Sequence, residues 1–145
     1  MKKILLIIGT IFLTTLVFSD IMVPEISLQN TTKTIVINSL TDIMLTHGFR
    51  VNRIDDYKAV FDKEDKSFAG NFEAAFYEGN YSDYPVLRIS YAIVQIDNNI
   101  RIIANLERVV NPETGHEKHY DDTIKPKQFQ AVQGYLNELK GKVSK

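Results

Sequence analysis

Imidazole and carboxylate side chains, the groups that bind metals and transfer protons, are concentrated between residues 111 and 122. The strongest candidates for metal ligands in this segment are His116, His119 and Asp121. Nitrogen and oxygen ligands of these types hold zinc and other transition metals in proteins. A metal-dependent hydrolase that uses these three residues is therefore one function that the sequence allows.

The local sequence argues against convergence of the two histidines. Only Glu117 and Lys118 separate His116 from His119, so a helix would bring the imidazoles to one face and a strand would direct them to opposite faces. A nearby proline and glycine disfavour a helix at this point. We therefore interpret the segment as a charged, solvated loop and keep the metal site as the alternative.

A second group of candidates lies between residues 67 and 84, where aromatic side chains are concentrated. The candidate binding residues are Phe72, Phe76, Tyr77, Tyr81 and Tyr84. Inward-facing phenylalanines would line a pocket for a small apolar ligand, whereas exposed tyrosines would dock on another protein. Ordinary core packing beside a tyrosine-rich loop is the competing interpretation. The spacing fits a short helix and a strand equally well.

No other pattern in the chain resembles a catalytic or cofactor-binding site. Asp55 and Asp56 are adjacent, so a strand would direct them apart and a turn would leave both in water. His47 falls at the end of a predicted helix, where histidine commonly caps free carbonyl groups. The serines lack the G-x-S-x-G spacing of a nucleophile elbow, and no glycine-rich phosphate loop is present. The sequence predicts no catalytic residue outside the histidine segment and no cofactor.

Residues 1–19 have the pattern of a secretion signal. Lys2 and Lys3 precede an apolar run, residues 4–18, and the small residue Ser19 stands at the expected cleavage point. The run is shorter than the roughly 20 apolar residues that a membrane-spanning helix needs, so a cleaved signal is favoured over an uncleaved anchor. We expect a bacterial protein exported to the periplasm or the extracellular space.

Residues 20–145 are numerous enough to form a single domain with its own core. The chain carries 17 basic and 18 acidic side chains, whereas proteins that bind nucleic acid usually have a basic excess. It contains no cysteine, which excludes disulfides, thiolate metal ligands and a lipid-modified N-terminal cysteine. We expect one exported domain that binds no nucleic acid and contacts a membrane only if the signal segment is not cleaved.

Hydrophobic periodicity predicts helices and antiparallel strands in this domain. The predicted elements are helices at about 31–47 and 126–142, a hairpin within 49–62, and paired strands at 86–96 and 100–110. The charged residues from Asp62 to Lys66 are expected to form a solvated loop.

These elements predict an α+β fold in which an antiparallel sheet of about four to five strands has both helices packed on one face, in the order α-β4-α. If residues 21–27 form a further strand, the order becomes β-α-β4-α. That order resembles TATA-binding-protein-like and helix-grip domains, and the resemblance covers most of residues 20–145. A fold does not by itself specify a function.

Small size, export and the lack of a catalytic pattern favour a non-enzymatic accessory protein of the cell envelope. Its expected partner is another envelope or secreted protein, or a small apolar ligand. The alternatives are the metal-dependent hydrolase that uses His116 and His119, and an inhibitor of a secreted enzyme.

Overall fold

The computed structural model describes residues 22–66 and 85–144, apart from residues 114 and 124. In chain order the elements are β1 (Glu25–Gln29), α1 (Lys33–Thr46), β2 (Arg50–Ile54), β3 (Lys58–Glu64), β4 (Val86–Ile96), β5 (Asn99–Val110), β6 (Lys118–Asp121) and α2 (Pro126–Val143). The predicted signal, residues 1–19, and the aromatic segment 67–84 lie outside the described residues. The fold is therefore α+β, as predicted.

The strands form an antiparallel sheet in the order β1-β5-β4-β3-β2, with β6 paired to β5 beside β1. The predicted pairing of 86–96 with 100–110 is confirmed, because β4 and β5 pair along their whole length from Val86↔Val109 to Ile96↔Asn99. The hairpin predicted within 49–62 corresponds to β2 and β3. Among the described residues the sheet has six strands, more than the four or five expected.

The strand considered for residues 21–27 is β1, which begins after Pro24 and pairs with β5 through Ile26↔Ile102. The side chain of Gln133 in α2 bonds to the main chain of β1 where the strand begins. Its Nε2 donates to the Glu25 carbonyl oxygen at 3.3 Å, and its Oε1 accepts from the Glu25 N–H at 3.2 Å. The amide thus satisfies main-chain groups of an edge strand that would otherwise need water.

α1 begins and ends where its sequence dictates. The hydroxyl of Thr32 accepts a hydrogen bond from the Ile35 N–H at 3.3 Å and caps the first turn. Gly48 adopts the left-handed conformation with φ of 80°, and the N–H of Phe49 returns to the Met44 carbonyl at 3.0 Å. This glycine ends the helix as predicted, because the left-handed conformation costs glycine little.

The two helices and the sheet share one hydrophobic core. Alternate residues of the two long strands, such as Ile89 and Tyr91 in β4 and Ile102 in β5, lie in one buried cluster. The helical members of this cluster are Val36, Leu40, Ile43 and Met44 of α1 and Val132, Leu136 and Leu139 of α2. Their three- and four-residue spacing puts these side chains on one face of each helix, and burial of that face stabilises the helical conformation.

Two segments that we predicted as solvated loops are partly ordered as strand. Within 111–122, residues Lys118–Asp121 form β6, whose main chain pairs with the end of β5. The prediction failed because β6 is short and lacks apolar alternation. The loop predicted from Asp62 was also wrong, because β3 continues to Glu64 and Asp62 is fully buried. None of the described helices is long and apolar enough to cross a membrane.

Candidate functional site

The strands carry a second set of side chains that point away from the hydrophobic core. We call this surface the polar face, and its residues are Asn52, Val60, Asp62, Arg88, Ser90, Glu107 and His119. The strand register aligns several of them, since Asp62 lies opposite Arg88 and Arg88 lies opposite Glu107. Charged side chains from neighbouring strands are therefore brought side by side, as cross-strand pairs are.

Asp62 and Arg88 form the centre of the polar face. Arg88 donates from Nε and Nη2 to the two carboxylate oxygens of Asp62, each at 2.9 Å. Asn52 Nδ2 donates to the same carboxylate at 2.8 Å. Because Asp62 is wholly excluded from solvent, these donors replace its lost hydration. The hydrogen bond to Asp62 also raises the pKa of Arg88 above its ordinary value.

His119 of β6 lies between two glutamates. Its Nδ1 is 2.8 Å from Glu107 Oε2, and its Nε2 is 3.3 Å from Glu117 Oε2. Glu117 in turn lies 3.7 Å from Arg88 Nη1. The imidazole therefore connects β6 to β5 and to the loop before β6, and both of its nitrogens face carboxylates.

The network continues toward the start of α2 through Thr123. Glu107 accepts from Asn105 Nδ2 at 3.0 Å, and Asn105 Oδ1 accepts from the Thr123 hydroxyl at 2.5 Å. The same hydroxyl accepts the Leu106 N–H at 2.8 Å. Thr123 thus joins the segment after β6 to the middle of β5 by hydrogen bonds that are shielded from water.

The polar face contains a depression with a volume of about 410 Å³. Its lining residues are Asn52, Arg53, Lys58, Val60, Arg88, Ser90, Glu107 and His119. Most of these side chains are polar or charged, and the basic ones outnumber the single glutamate. A depression of this composition is suited to hydrogen bonds and ion pairs with a polar partner.

The turn between β2 and β3 fixes the rim of this depression. Asp55 accepts the N–H groups of Tyr57 at 3.0 Å and Lys58 at 2.8 Å, and its carboxylate lies 3.0 Å from Arg53. These contacts, the Tyr57 N–H first among them, lower the pKa of Asp55. The turn predicted at Asp55 is present, and the carboxylate is engaged by these three contacts.

The structure does not bring the predicted metal ligands together as a set. His119 and Asp121 lie on β6, while His116 precedes the strand. Asp121 accepts the N–H of Thr123 at 2.8 Å, and both ring nitrogens of His119 face glutamates. Within the described part of the chain, no group of three or more histidine, aspartate or glutamate side chains is arranged to hold a metal ion. The metal site stays a prediction.

The predicted aromatic binding residues, Phe72, Phe76, Tyr77, Tyr81 and Tyr84, lie outside the described residues. The chain on either side of their segment is joined, because the N–H of Asp65 donates to the Pro85 carbonyl at 2.8 Å. Arg108 lies beside this junction, 3.7 Å from Asp65 and 3.3 Å from Asp122.

Sequence analysis missed the residues that form the polar face. We predicted a solvated loop at Asp62 and assigned no role to Arg88 or Glu107. The available signal was that Arg88 has an acidic residue opposite it on each neighbouring strand, Asp62 on β3 and Glu107 on β5, once the register is known. His47 is the C-cap residue of α1, with its N–H bonded to the Ile43 carbonyl, and its Nε2 lies 2.9 Å from Glu138 of α2.

Comparison with known proteins gives no family assignment. The chain matches no model of a protein family, and no curated protein matches its sequence. The candidate site is therefore interpreted from the geometry of its own residues.

Proposed function

We propose that residues 20–145 form a small exported, non-enzymatic domain that binds another protein of the cell envelope through its polar face. In this proposal residues 1–19 are removed as a signal peptide, and the mature domain works in the periplasm or outside the cell. In this proposal both helices lie on one side of the sheet, and the partner binds the polar face on the other side.

The observation that carries this proposal is the depression of about 410 Å³ on the polar face. Arginine, lysine, histidine, serine and asparagine side chains surround it, with Val60 as an apolar contribution. Pockets for small apolar ligands are lined mainly by hydrophobic and aromatic side chains. The lining here supports a polar protein surface as the partner more strongly than it supports a small apolar ligand.

The arrangement of ionisable groups also supports binding over catalysis. A general base needs a nitrogen or oxygen that is available to the reacting group. Each ring nitrogen of His119 faces a carboxylate, and the carboxylate of Asp62 accepts three hydrogen bonds from Asn52 and Arg88. These contacts support a recognition surface whose charged side chains are held in place by one another.

Site-specific photo-crosslinking in the living source cell tests this proposal. A photoreactive amino acid is placed at Lys58 or Ser90, which line the depression, and at Gln130, an exposed position on α2, as the control. We expect a protein adduct of defined mass at Lys58 and Ser90 and none at Gln130. Adducts that are equal at all three positions, or none at Lys58 and Ser90, would contradict the proposal.

Native mass spectrometry of the gently purified exported protein separates the alternatives. An added organic mass would favour the small-ligand version, and an added metal mass that disappears in the H116A/H119A variant would favour the metal-dependent hydrolase. We expect neither mass, because the depression lacks an apolar lining and the nitrogens of His119 are engaged by Glu107 and Glu117.

A further inference from the structure

The two edge strands of the sheet, β1 and β2, differ in how their main-chain groups are covered. At β1, the side chain of Gln133 bonds to the N–H and the carbonyl of Glu25, the first residue of the strand. At the other edge, β2 is the terminal strand of the sheet that the described residues form, and all five of its residues are exposed. Because a terminal strand has main-chain groups that face no neighbouring strand, β2 offers hydrogen-bonding positions for an added strand.

The side chains of β2 differ in chemistry between the two faces of the sheet. Val51 and Ile54 lie opposite Phe61 and Ala59, and so belong to the side that carries the hydrophobic core. They are nevertheless 43% and 38% exposed, as expected at an edge with no neighbour. Tyr57 extends this apolar margin, with its ring 4.4 Å from Nζ of a lysine in α1.

On the other side of the same strand the exposed groups are basic. Arg50 lies opposite Asp62 and Arg53 lies opposite Val60, so both belong to the polar face. Lys58, which follows on β3, adds a third positive charge at the rim of the depression. The open edge therefore presents an apolar margin on one side of the sheet and a basic margin on the other.

We propose that the partner binds as an extended strand along β2, with acidic and apolar side chains in alternation. This inference rests on the proposed function and specifies the partner's chemistry. Alternate side chains of a strand point to opposite faces. The acidic set would then meet Arg50, Arg53 and Lys58, and the apolar set would cover Val51 and Ile54. Strand addition takes affinity from main-chain hydrogen bonds and specificity from alternate side chains.

The present contacts of the two arginines leave them accessible to an acidic strand. Arg50 lies 3.3 Å from Glu113, and Arg53 lies 3.0 Å from Asp55. The side chains of Arg50 and Arg53 remain 58% and 69% exposed in these pairs. Exposed ion pairs contribute little free energy, so a partner carboxylate can replace them at small cost.

A second copy of the chain would pair with the β2 edge less favourably than an acidic partner strand would. Antiparallel pairing of β2 with its own copy would bring Arg50 and Arg53 of the two molecules together. Like charges directly opposite each other destabilise a strand pair. Charge complementarity therefore favours an acidic partner strand.

Synthetic peptides of about ten residues test the inference on the purified protein without knowledge of the natural partner. The probe is a fluorescent peptide of alternating glutamate and valine, and binding is followed by fluorescence anisotropy. Three control peptides have lysine in place of glutamate, the same residues in two blocks, or N-methyl groups on alternate amides. We expect the unmodified alternating peptide to bind at least about tenfold more tightly than each control.

Charge-reversal variants of the protein provide a second test, in which the affinity for the alternating peptide is measured. R50E/R53E should weaken binding of the alternating peptide by on the order of tenfold, because complementarity becomes repulsion. K127E/K140E, which makes the same change in net charge on α2, should bind as the wild type does. Equal binding of the blocked or N-methylated peptide, or an unchanged affinity in R50E/R53E, would overturn the inference.

The crosslinking experiment distinguishes failure of this inference from failure of the proposed function. If R50E/R53E retains the Lys58 and Ser90 adducts in cells, the polar face binds its partner without β2, and only the inference is lost. If the wild-type protein gives no adduct at either position, the proposed function itself fails. Loss of the adducts in R50E/R53E, with their retention in K127E/K140E, supports both.

Discussion

Arg88 donates two hydrogen bonds of 2.9 Å to the carboxylate of Asp62, which is wholly excluded from solvent. The two residues lie directly opposite each other on β4 and β3. A buried carboxylate is tolerated only while its donors remain, because its hydration has been lost. The pair therefore fixes the register of the sheet on the face that we propose for binding.

Removing Arg88 should destabilise the protein strongly. We expect R88M to reduce the free energy of unfolding by on the order of 3 kcal/mol, near the lower limit for breaking a buried ion pair, because Asn52 still donates to Asp62. Urea denaturation followed by circular dichroism measures the change. The double variant R88M/D62L should be more stable than R88M, since no charge is then left buried. A loss below about 1 kcal/mol in R88M, or a double variant less stable than R88M, would contradict this account.

The Thr123 hydroxyl should matter more than its methyl group. In T123V the Leu106 N–H loses its acceptor in a buried position, which should cost about 1–3 kcal/mol. T123S retains the hydroxyl and serves as the matched control, with an expected loss below that of T123V. Urea unfolding of both variants is the measurement. Equal losses in T123S and T123V would assign the role of Thr123 to packing and not to its hydrogen bonds.

Tyr91 should make the protein sensitive to alkaline pH. Burial is the main cause that raises the pKa of Tyr91 above its ordinary value of about 10. The folded state therefore keeps its proton when the unfolded state releases it, so stability is present below about pH 10 and falls as the pH rises further.

The Y91F variant tests this dependence. Unfolding by urea is measured between pH 8 and pH 11 for the wild type and the variant. We expect Y91F to lose less stability above pH 10 than the wild type does. At neutral pH the loss should be below about 1 kcal/mol, because the removed hydroxyl donates only to Met44 Sδ, at 3.3 Å. Parallel pH curves for the two proteins would be inconsistent with a buried, protonated Tyr91.

The N-terminal segment gives a prediction about processing. We expect the protein recovered from the exported fraction to begin at Asp20, because Ser19 is the small residue at the predicted cleavage point. N-terminal sequencing and intact mass measure this directly. A chain that retains residues 1–19 and stays with the membrane fraction would instead support the uncleaved anchor.

The sequence predicted the long elements well. α2 and the β4–β5 pair were predicted within a few residues, since each contains several repeats of one hydrophobic period. β6 was missed because its four residues owe their conformation to pairing with β5 and not to their own pattern. Short strands of this kind become visible only when the tertiary register is known.

The polar face could not be predicted from the sequence, for a related reason. The run of charged residues from Asp62 to Lys66 predicted a solvated loop, because charged side chains are ordinarily exposed to water. The burial of Asp62 depends on Arg88 and Asn52, which are placed next to it by two separate strand pairings. His119 was identified by residue type, but its contact with Glu107 follows from the pairing of β6 with β5.

The pairing of β1 with β5 has a consequence for how the chain folds. β2, β3, β4 and β5 each pair with the next strand along the chain, so these contacts form over short sequence distances. β1 pairs with β5, which lies about 70 residues later in the chain, so this pairing forms only after β5 is present. Ile26 and Leu28 of β1 become buried in the core when the two strands pair. Non-local pairings of this type slow folding. In a polypeptide that is translocated N-terminus first, β1 would be the first strand to emerge and among the last to pair. A chaperone could bind the chain before that pairing forms.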